Sequence, residues 1–113
     1  MKGRGRGDRD RLSVIGEAID EIAEMVSGGR RNFEASRRDQ LAVRAALEIV
    51  GEAARNLSES LRAHHPEVEW QWLIEFRNRA IHEYFQITAK ELWEIASGKL
   101  PALRQRLRRV RAE

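Results

Sequence analysis

The sequence contains no cysteine and only two prolines, Pro66 and Pro101, among its 113 residues. The absence of cysteine excludes disulfide bonds and thiolate zinc sites. Because prolines are few and strand-like alternation of apolar and polar residues is nowhere sustained, the sequence predicts an all-helical fold. With 42% hydrophobic and 35% charged residues, the chain suits one small domain with a modest core.

Long apolar runs are also missing. The longest one is far shorter than the roughly 20 residues needed to cross a bilayer, and the first ten residues, MKGRGRGDRD, lack the apolar segment of a signal peptide. We therefore expect a cytoplasmic protein with no membrane partner. Residues 1–7 are predicted to form a disordered basic extension, and residues 8–113 a single helical domain.

The positive charge is concentrated at the two ends of the chain. The net charge is +3, but the first eleven residues carry +3 and the last thirteen carry +4, so the body between them carries −4. Composition alone therefore does not indicate a basic groove across the folded body. Two interpretations stay open, since arginine-rich ends can attract phosphate groups or can simply form a solvated surface.

Apolar residues recur at the helical period along most of the chain. The first predicted helix ends at the glycine pair 28–29. Gly51, inside the second, either marks the close approach of another backbone or is a tolerated accident. Thr88 is predicted to cap the fourth helix, with Glu91 as its capping-box partner, and Gly98 to end it. The five predicted helices span roughly residues 9–27, 38–62, 69–84, 89–97 and the arginine-rich segment after Pro101.

The segment EFRNRAIHEYF, residues 75–85, places an arginine where the helical period asks for an apolar residue. A buried arginine needs a carboxylate partner, for which Glu48 and Glu52 are the candidates, unless this face of the helix lines a cleft. The stripe that contains the arginine consists of Trp70, Ile74, Arg77, Ile81 and Tyr84.

Two further polar residues follow the arginine. Asn78 and His82 are four residues apart and therefore share a flank of the helix. Arg77 and His82 are five residues apart, which corresponds to about 140° around an ideal helix. One straight helix does not direct both side chains at the same atom. Either the arginine reaches around, or the helix is distorted, or two copies of the helix meet across a two-fold axis.

The motif RNRAIHEY resembles that of the HEPN superfamily in its HepT-like toxin branch: an arginine, a polar residue, three more residues, a histidine, one residue and a tyrosine. The resemblance extends from Leu47 to Leu103 and includes the segment IVGEA and a Pro-x3-Trp pattern before the motif. It implies an all-α, up-and-down bundle of four to five helices that forms a homodimer and uses no metal or other cofactor.

The resemblance also implies an activity. HepT-like proteins are metal-independent endoribonucleases, the toxins of type VII toxin–antitoxin systems, and their two motifs line one cleft of the dimer. Accordingly, His82 would be a general base or acid, Arg77 would stabilise charge on the scissile phosphate, and Asn78 would orient the phosphate or the imidazole. Attack by the 2′-hydroxyl of RNA would leave a 2′,3′-cyclic phosphate. Glu52 either supports this site or is an ordinary surface carboxylate.

The partner implied by the resemblance is a minimal nucleotidyltransferase antitoxin that attaches AMP to Tyr84. On an ideal helix Tyr84 lies within about 20° of Arg77, so an AMP group there would block the cleft. Two alternatives stay open: a catalytically silent helical partner that docks the nucleotidyltransferase, or a nucleotide-binding accessory subunit without an RNA substrate. His64 and His65 have no further ligand at metal-binding spacing, so no metal site is expected.

Overall fold

The computed structural model describes residues 2–111, except for the side chains of residues 2–6 and of Tyr84. Within this part of the chain all regular structure is helical, which confirms the predicted all-α class. The helices are α1 (Lys2–Met25), α2 (Arg30–Ala35), α3 (Arg37–Arg55), α4 (Glu59–His64), α5 (Trp70–His82), α6 (Ala89–Glu94) and α7 (Leu100–Leu107), with a 3₁₀ turn at Tyr84–Gln86 and a π-helical segment at Ile95–Lys99.

Helix α3 is the centre of the bundle and packs against both α1 and α5, and α7 packs against α1. Neighbouring helices run in opposite directions. The backbone N–H of Ser58, just after α3, donates to Asp8 Oδ1 near the start of α1 at 2.9 Å. Arg44, early in α3, donates to the carbonyl of Ile87, beyond the end of α5, at 3.3 Å. These contacts produce the expected up-and-down arrangement.

The core is formed by the apolar stripes that the sequence predicts. In α1 the isoleucines at positions 15, 19 and 22 are all at most 3% exposed. Burial of this kind, at about 25 cal/mol per Å² of apolar surface, is the main force that holds the helices together. The seven predicted stripe residues of the second helix are all buried, namely Val43, Ala46, Leu47, Val50, Ala54, Leu57 and Leu61.

The prediction of one continuous second helix over residues 38–62 is wrong, because the structure has two helices there, α3 and α4. α3 ends at Arg55, and Ser58 begins α4, its Oγ accepting from the N–H of Leu61 at 3.2 Å. The Asp8 carboxylate also accepts from Ser58 Oγ at 2.7 Å, so a side chain of α1 stabilises the break. Ser58 prefers this capping position to a helix interior because its hydroxyl replaces a missing backbone acceptor.

The N-terminal region differs from the prediction at two places. The polar turn expected after α1 contains the short helix α2, which buries Phe33. It follows Gly29, whose φ of 96° favours glycine. α1 begins at Lys2 and not near residue 9, because no proline or cap interrupts it before Asp8. Met1 lies outside the described residues, and the division of the chain at residue 7 stays a prediction.

The last predicted pair of helices is one continuous helical segment from α6 through the π-helical turn to α7, so Gly98 does not end a helix. The predicted cap is confirmed, since Thr88 Oγ1 accepts from the N–H of Glu91 at 3.1 Å. The capping box is wrong, because the Glu91 side chain binds Arg79 instead. Within the described residues, no helix combines the length and apolar character that a membrane span requires.

Candidate active site

Arg77 lies in the middle of α5 on the side that faces α3, opposite Gly51. A Cβ atom built on Gly51 would lie 2.2 Å from Arg77 Cβ and 2.7 Å from the Leu73 carbonyl oxygen. Helices come this close only where one of them has no side chain. The close approach that Gly51 was predicted to allow therefore exists, but it lies within one chain, between α3 and α5.

The carboxylate that Arg77 requires is supplied by Glu52, the residue after this glycine. Arg77 Nη2 lies 3.2 Å from Glu52 Oε1, which selects Glu52 over Glu48 among the two predicted candidates. Hydrogen bonds from Arg55 and then Asn56, with the nearby charges of Arg55 and Arg77, hold the pKa of Glu52 below its usual range. Glu52 is therefore a stable anion that holds the guanidinium at the edge of α3.

Asn78 belongs to the same cluster. Arg77 Nη1 donates to Asn78 Oδ1 at 2.8 Å, so both ends of the guanidinium are held, one by each neighbour. The Arg77 side chain keeps 25% of its surface exposed. Each Nη atom has a second N–H that can bind an incoming anion. The cluster of Glu52, Arg77 and Asn78 is thus an oriented, solvent-accessible cation at the surface of the bundle.

His82 is the last residue of α5 and is exposed. It stays apart from Arg77: within the described part of the chain, no hydrogen bond or ion pair joins His82 to Arg77 or Asn78. The predicted angular separation is therefore real, because α5 is regular from Trp70 to His82. A single chain presents the cation and the imidazole as neighbouring but separate groups.

The expected position of Tyr84 is wrong. α5 ends at His82, and Glu83 leaves the helical conformation with φ −136° and ψ 40°. Tyr84 begins a 3₁₀ turn, so it does not continue the stripe of Arg77. The chain turns here because Ile87 is buried and Thr88 already begins α6. The Tyr84 side chain itself lies outside the described part of the structure.

The end of α5 is held to α6 by Arg79, a residue outside the predicted site. Arg79 makes a bidentate ion pair with Glu91, one arm of which is a 2.7 Å hydrogen bond from Nη2 to Oε1. This pair and the charge of Glu83 raise the pKa of Arg79. The available signal was a basic residue in the last turn of a helix followed, after a short loop, by an acidic first turn of the next.

The model of the family described as ribonuclease HepT-like matches residues 15–110. This chain belongs to the ribonuclease HepT-like family. The match confirms the resemblance to the HepT-like branch of the HEPN superfamily, and it covers every helix named above except the first turns of α1.

Curated relatives of this HepT-like chain include proteins named as ribonucleases. It is 33% identical over 107 residues to a protein of Thermococcus cleftensis named "Probable ribonuclease HepT", covering 94% of this chain and 97% of that one. It is 31% identical over 105 residues to a "Putative RNase" of Caldanaerobacter subterraneus, covering 90% and 92%. A protein of Methanocaldococcus jannaschii with the same kind of name is 38% identical over 95 residues, covering 83% and 87%. No solved structure gave a significant match.

Three exposed large apolar side chains lie near the charged cluster along the sequence of this HepT-like chain. Ile81, four residues after Arg77, is 42% exposed, and Ile49, three residues before Glu52, is 52% exposed. Phe85, in the turn after α5, is 75% exposed. We call these three residues the apolar flank. Large apolar side chains grouped around a polar centre are typical of a surface that another molecule covers.

Proposed function

We propose that this HepT-like protein is a cytoplasmic ribonuclease toxin of a type VII toxin–antitoxin system, and that it cleaves RNA without a metal ion. The observation that carries the proposal is the cluster of Glu52, Arg77 and Asn78, which holds a partly exposed guanidinium on the same helix as the exposed His82, five residues before it. A fixed cation and an accessible imidazole are the two groups that phosphodiester cleavage through the 2′-hydroxyl requires.

The proposed active unit is a homodimer. Within one chain Arg77 and His82 point to different sides of α5, so one copy directs only part of the required groups at a given phosphate. A two-fold axis near the apolar flank would place a second α5 opposite the first and combine their groups in one cleft. Burial of Ile49, Ile81 and Phe85 at this interface would also remove exposed apolar surface from water.

The chemical steps follow from these roles. One His82 takes the proton of the ribose 2′-hydroxyl, whose oxygen attacks phosphorus, and the bond from phosphorus to the 5′-oxygen breaks. The protonated His82 of the second subunit donates its proton to that leaving oxygen. Arg77 binds the phosphate oxygens while charge develops on them, and Asn78 and Glu52 keep its planar fork oriented. The products are a 2′,3′-cyclic phosphate and a free 5′-hydroxyl.

The test is cleavage of RNA by purified protein in the presence of EDTA. His82→Ala and Arg77→Ala should each abolish cleavage, while helicity stays unchanged because His82 is exposed and α5 is held elsewhere by its buried residues. His64→Ala and Arg31→Ala serve as controls, since each removes an exposed residue of the same type outside the site. Activity that survives in His82→Ala, or that requires added magnesium, would contradict the mechanism.

Assembly is tested separately by light scattering. Wild-type protein should form a dimer at micromolar concentration. Ile81→Asp should weaken the dimer and reduce cleavage, because it would place a carboxylate in the proposed interface. Val14→Asp changes an apolar residue of similar exposure on α1, 42% in both cases, and should leave the dimer intact. A wild-type protein that is strictly monomeric yet active would contradict the composite site.

The proposed regulation is transfer of AMP to Tyr84 by a minimal nucleotidyltransferase antitoxin. The tyrosine oxygen would attack the α-phosphorus of ATP and release pyrophosphate. Tyr84 is two residues beyond His82, so their Cα atoms are at most about 7 Å apart, and a bulky anion there would obstruct the site. Mass spectrometry should find the adenylyl group on Tyr84, the only tyrosine of the chain. Tyr84→Phe should block the modification and keep the ribonuclease activity; adenylylation at a serine would contradict this role.

A further inference from the structure

The two basic ends of the sequence meet in the fold. α7 runs antiparallel along α1, so the last residues described lie beside the first turns of the chain. Between them is a groove of about 610 Å³ whose walls include Arg9, Ser13 and Glu17 from α1, and Arg104 and Arg111 from the C-terminal segment. We call it the basic groove.

Two of its three arginines, Arg9 and Arg111, are not neutralised by any side chain that the structure describes. Among the described side chains, no carboxylate lies within 4.0 Å of Arg9 or Arg111. Arg111 Nη1 donates to the carbonyl oxygens of Arg108 at 2.8 Å and Val110 at 3.2 Å, which orients the guanidinium without cancelling its charge. Both residues are exposed. The groove therefore has cationic walls that are open to solvent.

The third arginine is fixed in place. Arg104 donates from Nε and Nη2 to the two carboxylate oxygens of Asp20, each at 3.0 Å. Its Nη1 lies over Gly16, where a Cβ atom would be only 3.0 Å away. The guanidinium thus lies flat against α1, and Nη1 stays available to the groove. Among the residues that the structure describes, Glu17 is the only acidic one that lines the groove, so the charge of these walls is positive although the body of the chain is negative.

We propose that the basic groove binds the phosphate backbone of the RNA substrate at a distance from the cleavage site. This inference rests on the proposed function for its choice of RNA. Guanidinium groups on both walls and the Ser13 hydroxyl on the α1 wall suit the oxygens of successive phosphates along a strand. The groove is concave, whereas a membrane surface would be met by projecting basic and apolar side chains.

The position of the groove leads to a dependence on RNA length. The groove lies between α1 and the C-terminal segment, whereas Arg77 lies at the contact of α5 with α3. The two smaller dimensions of the molecule are 27 and 20 Å. A dinucleotide bound at Arg77 cannot reach the groove, whereas a longer strand that passes around the bundle can. Removal of the groove charges should therefore reduce the cleavage of long RNA substrates and leave the cleavage of the shortest ones unchanged.

The first test measures the affinity of labelled 20-nucleotide RNA for non-cleaving His82→Ala protein at several salt concentrations. Each phosphate contact of a single strand contributes about −0.7 to the slope of log K against log salt. Adding Arg9→Gln and Arg111→Gln should reduce the slope by about 1.4 and weaken binding roughly tenfold at 0.15 M salt. Both arginines are exposed, so the fold should be unaffected, which circular dichroism can check.

Two matched variants make this test specific. Arg31→Gln with Arg37→Gln removes two exposed arginines elsewhere on the molecule, and binding should change less than twofold, because charges beyond about 8 Å are screened at this salt concentration. Glu17→Gln removes the acidic residue of the groove and should tighten binding roughly threefold. An equal loss in the control pair, or no effect of the groove variants, would overturn the inference.

The second test uses cleavage by enzyme with an intact His82. Arg9→Gln with Arg111→Gln should lower kcat/KM for the 20-nucleotide RNA and leave cleavage of a dinucleotide unchanged. If the wild type cleaves RNA and both substrates are unaffected by the variants, the groove inference fails and the proposed function stands. If no RNA is cleaved but RNA binding still depends on Arg9 and Arg111, the proposed function fails and the groove inference stands. Arginine-dependent binding to anionic phosphatidylserine vesicles, with RNA binding unchanged, would identify a membrane surface and overturn the inference.

Discussion

The substitution Gly51→Ala tests the contact that positions Arg77. The added Cβ would be 2.2 Å from Arg77 Cβ and 2.7 Å from the Leu73 carbonyl oxygen. Ordinary contacts of a Cβ atom begin near 3.4 Å, so α3 and α5 would have to separate by about 1 Å. Neither atom can move away by a side-chain rotation, since one belongs to the backbone and the other is attached directly to it.

The expected magnitude combines two opposing effects. Overpacking against a rigid neighbour costs about 3 kcal/mol, the upper end of the usual range. Replacement of a helical glycine by alanine stabilises the helix by about 1 kcal/mol. The net loss should be about 2 kcal/mol, which corresponds to a decrease in Tm of roughly 8 °C for a domain of this size. Arg77 would also move relative to His82, and a displacement of about 1 Å can reduce cleavage about 100-fold.

The measurement is thermal unfolding followed by circular dichroism at one fixed protein concentration, since a dimer unfolds at a concentration-dependent temperature. Gly98→Ala is the matched control, because a Cβ built on this helical glycine meets nothing within 4 Å. It should be neutral or stabilise the protein by up to about 1 kcal/mol. If Gly51→Ala is as stable as Gly98→Ala, the argued close packing of α3 and α5 is refuted.

Two further predictions concern ion pairs between helices. The Arg104 hydrogen bond lowers the pKa of Asp20, so the pair contributes its full stability above the unfolded pKa of about 3.9, and this contribution is lost as pH falls through the lower pKa of the folded state. Asp20→Asn should thus lower the free energy of unfolding by about 0.5 kcal/mol at pH 7 and leave it unchanged near pH 2. Urea unfolding at both pH values measures the difference between wild type and variant, and a difference that grows in acid would contradict the assignment. Glu91→Ala should lower the free energy of unfolding by about 1 kcal/mol, because it removes the ion-pair partner of Arg79 at the end of α5. The control Glu94→Ala, at an exposed position of the same helix, should change this free energy by less than half as much. Equal effects of the two variants would contradict the role of the pair.

The sequence predicts the three long helices because their apolar residues recur at the helical period and are buried as expected. It does not predict the break between α3 and α4, since Leu57 and Leu61 continue the same stripe across it. The break depends on the Asp8 carboxylate, which binds Ser58 from a residue 50 positions earlier. Periodicity within one segment carries no information about a partner at that distance.

The unbroken helix from α6 to α7 was missed for a related reason. Gly98 and Pro101 are ordinary stop signals, but glycine in a helix costs only about 1 kcal/mol, and burial of Ile95, Ala96 and Leu100 exceeds that cost. The π-helical turn at Ile95–Lys99 widens the helix just before the proline, whose ring would otherwise meet the carbonyl of residue 97. Tertiary packing thus overrides local propensity here.

Arg77 fits the apolar stripe because the aliphatic and the charged parts of its side chain have different surroundings. The Cβ and Cγ of Arg77 lie directly against Gly51, where an apolar residue would be expected. The guanidinium extends past this contact to Glu52 and Asn78 at the surface. The aliphatic part satisfies the helical period and the charged part remains accessible for a phosphate. The motif helix alone cannot reveal this arrangement, because the space for Arg77 is provided by a glycine that precedes it by 26 residues in another helix.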